Sequence, residues 1–356
     1  MHTRLWTAAL VCSLTAAGCA KHPQRQWQSN THFLVTDLAP GDGYSQSCAT
    51  GINSSGHVVG YEATEDGDTR AVMWANGGME DLGTLGGENS KARAINDADQ
   101  VAGEAFLSDN GTRHAFLWQS KRMKDLTPST SISTCAHAIG PDGLVGGQVD
   151  VSGPAAGAHA VLYSGTGFKD LCAGCAASSV QGIGPRGEAV GWRISSDNGP
   201  RRACLWIGGS TQEIPTQAGD RSWANAINSA GHVVGAWNPQ LGDVTDKTGY
   251  YRVEPQRAFL WRDGKLQELG SLGGMAAEPN AVNDLDQVVG QADLPGSIFH
   301  AFLWDRGRML DLNDGLPDRS GWILEDATGI NRAGQVCGTG TIGGHDRAFL
   351  LTPAGK

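Results

Sequence analysis

The apolar positions of this chain fall in short runs, each bounded by Gly, Asn or Asp, and the same run keeps returning. "HAFLW" stands at 114–118 and 300–304, "RAFLW" at 257–261 and a last copy, "RAFLL", at 347–351. Aligned on the residue that ends this phrase, the units centre on Trp74, Trp118, Tyr163, Trp206, Trp261, Trp304 and Leu351, at spacings of 44, 45, 43, 55, 43 and 47 residues. Runs this short, with no 3.6-residue period, predict β-strands, and a period near 44 matches a four-stranded propeller blade.

The turns divide each unit. An inner segment such as "ARAIN" (92–96) is followed by a short turn and a "VVG"-like segment. The turn begins with Asn53, Asn96, Gly140, Gly184, Asn228, Asn283 and Asn331 in successive units. Its fourth residue is Gly56, Asp99, Gly143, Gly187, Gly231, Asp286 and Gly334, all tolerant of positive φ. This chemistry predicts a type I turn closed by a left-handed residue. A second hairpin follows the phrase, with tips such as Asn76-Gly77, Gly208-Gly209 and Asp263-Gly264, the residues that type I′ turns favour. Four strands per unit result.

The two ends of the chain are incomplete in complementary ways. "HFLVTDLAP" (32–40) is a fourth strand with nothing before it, and the last unit stops after its third strand. Joined, they complete a seventh blade and remove both open sheet edges. The expected fold is all-β, a seven-bladed β-propeller over residues 31–356, closed by the N-terminal strand.

The motifs "HAFLW" (114–118), "DLGTLGG" (81–87) and "AIND" (94–97) resemble those of the HAF-repeat family of bacterial extracellular proteins, over about residues 31–353. That resemblance implies an exported repeat protein and carries no established catalytic residues. Units three and four depart most from the pattern. Residues 1–18, with Arg4 ahead of a short apolar run, read as an export signal, and 19–30 as a polar linker. "LTAAGC" (14–19) resembles a bacterial lipobox, with Ala16 where that motif usually has Leu; Cys19 would carry the lipid. The expected location is the outer membrane or cell surface, otherwise the periplasm or medium, with the membrane met only through the lipid anchor.

Composition narrows the partners. Gly numbers 51 of 356 residues without a collagen period, so the excess belongs in turns. The formal net charge is -10 with no basic run, which argues against nucleic acid as a partner. Closure within one chain predicts a monomer.

Several repeated polar residues read as scaffold. The third strand opens with Arg70, His114, His159, Arg202, Arg257, His300 or Arg347, and the fourth carries Asp81, Asp125, Asp170, Glu213, Glu268, Asp311 or Asp37. His and Asp can ligate metals or move protons, but a site is normally unique, and a pair repeated seven times with Arg replacing His is a cross-strand contact. Small residues on the inner segment, such as Ala94, Gly182 and Gly329, would let seven strands crowd around an axis. Cys172 and Cys175 form a C-x-x-C without a second pair for zinc, and in an exported protein predict a local disulfide. Cys204 and Cys337 stand in apolar positions. "NDADQ" and "NDLDQ" lie on turns and do not read as calcium loops. No nucleophile-elbow, zinc or P-loop motif occurs, and no metal or other cofactor is expected.

Function is then sought where units differ. The variable positions of the innermost strand are Thr50, Arg93, His137, Gln181, Asn225, Asn280 and Thr328, with Cys48, Lys91, Cys135, Ser179, Trp223, Glu278 and Asp326 two residues earlier. Residues two apart share a strand face, so these form a mixed polar ring at one mouth of the axis. The extra length of unit five, residues 238–256, holds Tyr250 and Tyr251 and emerges at the same end. The expected function is a binding module for a glycan or protein, using Arg93, His137, Gln181, Trp223, Asn225, Tyr250, Tyr251 and Asn280. The rivals are a propeller hydrolase or lyase, with His137 and Glu278 or Asp326 as acid and base, and a structural scaffold of the cell envelope.

Overall fold

Seven four-stranded antiparallel sheets follow one another around a ring. The computed structural model describes residues 32–39, 45–127, 132–151, 157–165, 167–196, 199–216, 220–239, 255–296, 298–317 and 319–354. Residues 1–31, with Cys19 and the segments expected as export signal and linker, and Tyr250 and Tyr251 lie outside them. Blade 1 is built of Gln46–Ile52, Val58–Ala63, Thr69–Ala75 and Gly78–Gly83, and each later blade repeats that order outward from the axis. Blade 7 takes Trp322–Ile330, Val336–Ile342 and His345–Pro353 from the C-terminal end and Phe33–Asp37 from the N-terminal end. In that pairing Phe33 lies opposite Pro353 and Asp37 opposite Phe349, so the ring closes as the sequence implies.

The turn chemistry acts as expected. The fourth residue of the inner turn is left-handed in every blade, with φ from 55° at Asp99 to 84° at Gly143. Both tip residues of the outer hairpin are left-handed in blades 1, 2, 4, 5 and 6.

The inner strand is less regular than its sequence suggests. In all seven blades its register with the second strand slips by one residue, at Thr50, Arg93, His137, Gln181, Asn225, Asn280 and Thr328. The variable residues are therefore the extra residues of seven β-bulges, whose side chains the ladder does not constrain. Each bulge has a partner in the "VVG" segment. Gly60, Gly103, Gly147, Gly191, Gly235, Gly290 and Gly338 lie so close under the displaced strand that an added Cβ would sit 1.9–2.1 Å from the carbonyl oxygen two residues before the bulge. In blades 2, 5 and 7 the same Cβ would meet the ring of Phe116, Phe259 or Phe349 at 2.7–2.8 Å. The Phe of the recurring phrase thus packs over the glycine that the bulge requires.

The core lies between blades. One seam joins Val59, Ala71 and Met73 of blade 1 to Ala92, Phe116 and Trp118 of blade 2, and another joins Ala49 and Trp74 of blade 1 to Cys337 and Ala348 of blade 7. Near the axis the small residues abut as expected: a Cβ on Gly182 would stand 3.1 Å from the Ala226 Cα.

Hydrogen bonds also cross the seams. The turn asparagines do more than begin turns. Each Oδ1 accepts the amide four residues on, while Nδ2 donates to the equivalent carbonyl of the next blade: Asn53 to Asn96, Asn96 to Gly140, Asn228 to Asn283, Asn283 to Asn331 and Asn331 back to Asn53, at 3.0–3.2 Å. In blade 4, where Gly184 replaces Asn, the buried Glu188 carboxylate fills the space and accepts the Arg186 amide at 2.9 Å. The acids of "NDADQ" and "NDLDQ" clasp the preceding blade instead of forming an ion loop: Asp99 meets His57 and Asn53, and Asp286 meets His232 and Asn228. A third set was not anticipated. Ser47, Ser90, Thr134, Ser178 and Ser222 each accept, through the hydroxyl, the third-strand alanine amide of the preceding blade at 2.8–3.0 Å.

The repeated base–acid pair is structural in five blades: Arg70–Asp81, His114–Asp125, His159–Asp170, Arg257–Glu268 and His300–Asp311. The other oxygen of each of the four aspartates accepts the amide two residues on, turning the chain toward the next blade. The remaining two blades depart from the expected pattern. Glu213 is held by Arg193 at 2.7 Å while Arg202 reaches the Asp220 carbonyl, and Arg347 donates to the Ser45 carbonyl. Cys172 and Cys175 are joined in a disulfide, and Cys48, Cys135, Cys204 and Cys337 are free thiols.

If the glycine under each bulge is required, Gly235→Ala should lower unfolding free energy by about 3 kcal/mol, the cost of forcing bulk into a packed site. Gly167→Ala, which has no neighbour within 4 Å, should stay within about 1 kcal/mol. Chemical denaturation of the two variants makes the comparison, and equal midpoints would refute the bulge argument.

Candidate functional site at the channel mouth

Each inner strand runs from the end where second and third strands are joined toward the end that carries the asparagine turns. The pre-bulge residue therefore lies nearer the first end, opposite a second-strand residue that also varies. The register pairs Cys48 with Tyr61, Lys91 with Glu104, Cys135 with Gln148, Ser179 with Trp192, Trp223 with Ala236, Glu278 with Gln291 and Asp326 with Thr339. The bulged residues themselves are all half-exposed, whereas the residue preceding each is buried, Pro279 included.

The ring divides into arcs of different character. On one side, the bulged side chains tie blades together. Thr50 donates to the Ala92 carbonyl, Asn225 to Pro279, Asn280 to Ala327 and Thr328 to Ala49, at 2.8–3.0 Å. Asn225 and Asn280, expected as ligand contacts, thus have their amide nitrogens engaged by the scaffold.

The arc of blades 1–3 is charged. Lys91 Nζ lies 4.5 Å from the centre of the Tyr61 ring. Glu104, buried, accepts from Arg93 at 2.5 Å, from Arg113 at 3.1 Å and from the Cys135 thiol at 3.0 Å. Burial by itself would raise the Glu104 carboxyl, but Arg93, Cys135 and Arg113 outweigh it and hold the group down at about 2. Burial and the Glu104 charge push the Cys135 thiol up. His137 is brought down to about 4 by burial and by the Arg93 charge. Its charged neighbours are Arg93, Glu104 and Arg113, so the structure does not join it to Glu278 or Asp326, which belong to blades 6 and 7. A neutral imidazole beside arginines, and a thiol donating to a carboxylate, suit holding charge better than activating a nucleophile.

The arc of blades 4–6 is aromatic and contains two residues that the sequence reading missed. Arg201, leading into the third strand of blade 4 (Arg202–Ile207), places its guanidinium 4.3 Å from the centre of the Trp223 ring and 5.5 Å from that of Trp192. Trp223 is only 8% exposed, and its Nε1 donates to Glu278 at 3.0 Å; it orients its neighbours more than it offers a free face. In blade 4 Gln181 donates to the Ser179 hydroxyl at 2.9 Å. Asp326 accepts from Asn280 at 2.6 Å, and burial together with the Glu278 charge raises its carboxyl to about 6. The signal for Trp192 was available: it occupies a position that varies between units, with Gln in two of them and a different residue in each of the other five. Arg201 was hidden beside the repeated Arg202. No group of three or more His, Cys, Asp or Glu among the described residues is placed to hold a metal ion.

No protein-family model matches the chain, and no curated protein matches it. Among solved structures it is similar to the β-propeller domain of the trilobed protease from Pyrococcus furiosus, at 11% identity and a TM-score of 0.53, covering 86% of this chain and 94% of that one. That domain is described as having an open velcro topology; here the Phe33–Asp37 strand closes the last blade. A streptogramin B lyase matches at 11% identity and a TM-score of 0.50, over 91% of this chain and 98% of that one. Prolyl endopeptidase matches at the same identity and score, over 80% of this chain and 43% of that longer one. At such identity the likeness establishes the propeller fold alone.

The Glu104 cluster makes stability depend on acid. Because the folded carboxyl is depressed to about 2 from 4.5, its contribution is complete above pH 4.5 and fades as pH falls toward 2, amounting to about 3 kcal/mol. Glu104→Gln should therefore be less stable than the parent at pH 7 by about 2–3 kcal/mol, with the gap closing near pH 2. Denaturant melts across that range read the difference, and a gap constant with pH would contradict the assignment.

Proposed function

We propose that this protein is an exported, lipid-anchored β-propeller of the HAF-repeat type that recognises a polar ligand, glycan or protein, at the mouth where the inner strands begin. What carries this reading is the division of labour within the repeat. The features shared around the ring, from the glycines under the bulges to the seam-crossing hydroxyls, serve closure and packing. The residues that differ stand together at one mouth, on bulges that free their side chains, and half-exposed polar groups on a rigid frame suit recognition. The motif resemblance and the leader sequence support export. Arg93, His137, Gln181, Trp192 and Arg201 are the residues of the mouth best placed to meet a ligand, with Trp223 positioning Arg201.

Two measurements test it. A Gln181→Ala, Trp192→Ala double variant should keep a Tm within about 3 °C of the parent and lose at least tenfold in affinity for whatever a combined glycan-array and envelope pull-down screen retrieves, since an aromatic contact at a binding site is worth about 2 kcal/mol. Unchanged binding would place the site elsewhere. Mass spectrometry of the protein from membranes should find an N-terminal peptide starting at Cys19 and carrying acyl chains; an unmodified Cys19 would remove the anchor.

A further inference from the structure

The mouth contains a cation whose hydrogen-bonding capacity no described residue takes up. Arg93, Arg113, Arg193, Arg257 and Arg262 are each paired with a carboxylate. Arg201 is not among the described ion pairs. It is half-buried, its guanidinium lies over the rings of Trp192 and Trp223, and the charges it feels are those of Arg221 and of Glu278, whose Oε1 accepts from Trp223 at 3.0 Å and Asn225 at 3.4 Å. Burial works against the charge of this guanidinium, so an arriving anion would relieve a cost the fold leaves standing. A stacked, planar guanidinium with free N–H groups is preorganised for a carboxylate, which its fork grips through two parallel bonds.

The polar residues of the same mouth define the rest of the ligand. Asn225 and Asn280 use their amide nitrogens on the Pro279 and Ala327 carbonyls, and Gln181 uses its own on Ser179. Their amide oxygens receive no donor among the described residues, and Glu278 is an acceptor as well. Beside the Arg201 and Arg221 cations, the mouth thus offers acceptors and calls for a ligand rich in donors. A peptide backbone brings as many carbonyls as N–H groups, and half of them would lie unmatched there. Sugar hydroxyls donate freely, and a sugar that also carries a carboxylate answers both demands.

We propose that the mouth binds an acidic glycan, with a uronate carboxylate on Arg201 and ring hydroxyls donating to Gln181, Asn225 and Glu278. This rests on the reading of the protein as a recognition module and names its ligand class.

The test titrates the full-length protein with trimers of galacturonate, mannuronate and guluronate, with their carboxyl-reduced neutral counterparts, with a sulfated neutral trimer and with an acetylated tripeptide bearing a free C-terminus. At least one oligouronate should bind at least tenfold more tightly than its reduced counterpart, and more weakly as salt rises. Arg201→Gln should lose about 30-fold, and Arg201→Lys, which keeps charge but lacks the fork, should fall between. The parent protein's preference for the acid over the reduced sugar needs no variant, so a destabilised Arg201→Gln leaves the test intact. Equal binding of acid and neutral forms, parent-like binding by Arg201→Gln, or preference for the sulfated sugar or the peptide would overturn the acidic-glycan assignment. If a neutral trimer or the peptide is bound and Gln181→Ala abolishes it, the recognition module survives with another ligand. If nothing binds at about 1 mM and the wider screen is also blank, both readings fall.

Discussion

The structure depends on one steric arrangement repeated seven times: an inner strand bulged by one residue, lying over a glycine of its neighbour. The displaced carbonyl comes so near that any Cβ beneath it would overlap, as the 1.9 Å approach at Gly60 and Gly147 shows. A bulge sharpens local twist and frees one side chain from the ladder. Both effects matter here. Twist lets seven strands stand close around an axis, and the freed side chain becomes the variable residue of the mouth. Scaffold and site are set by the same defect in pairing.

Closing the ring poses a different problem, because an apolar seam alone does not specify which blade face meets which. Directional bonds supply that information. The asparagine side chains reach from turn to turn, and the bond from Asn331 to Asn53 joins the last blade to the first as the others join neighbours. Where Asn gives way to Gly140 and Gly184, other groups occupy the space, and these are the blades whose recurring phrases also depart most from the consensus. Val161 and Cys204 stand there, as Val72 does in blade 1, where blades 2, 5, 6 and 7 have Phe opposite the glycine. The seam-crossing serines add a second row of bonds closer to the mouth. The N-terminal strand then covers the outer edge of blade 7, burying Phe33.

The mouth inherits its asymmetry from this scaffold. On one arc the bulged residues are drawn into the neighbouring backbone and help to hold the ring. On the others, Glu104 gathers two arginines and a thiol, and Arg201 lies over the rings of Trp192 and Trp223. Trp223, chosen from the sequence as a stacking surface, proves to be a buried support. Of the two tryptophans over Arg201, the half-exposed one is Trp192, one strand farther from the axis.

Strand number, turn positions, blade order and circular closure were all legible in the sequence, because each depends on local chemistry repeated at a fixed interval: Asn and Gly where φ must be positive, short apolar runs between them, and two chain ends that complement each other. The variable ring was legible for the same reason, as a position that fails to repeat. The bulges were not, since a two-against-one pairing exists only between strands and the glycine beneath each looks like an ordinary strand residue. Nor could the sequence tell which asparagine nitrogens reach across a seam. Arg201, Trp192, Trp223 and Glu278 come from three blades and from different strands within them, so no spacing links them. The chain by itself determined how often and where the backbone turns; only the tertiary structure decided which side chains the ring uses up and which it leaves open, because that depends on contacts between units that are distant in sequence and adjacent only once the circle is closed.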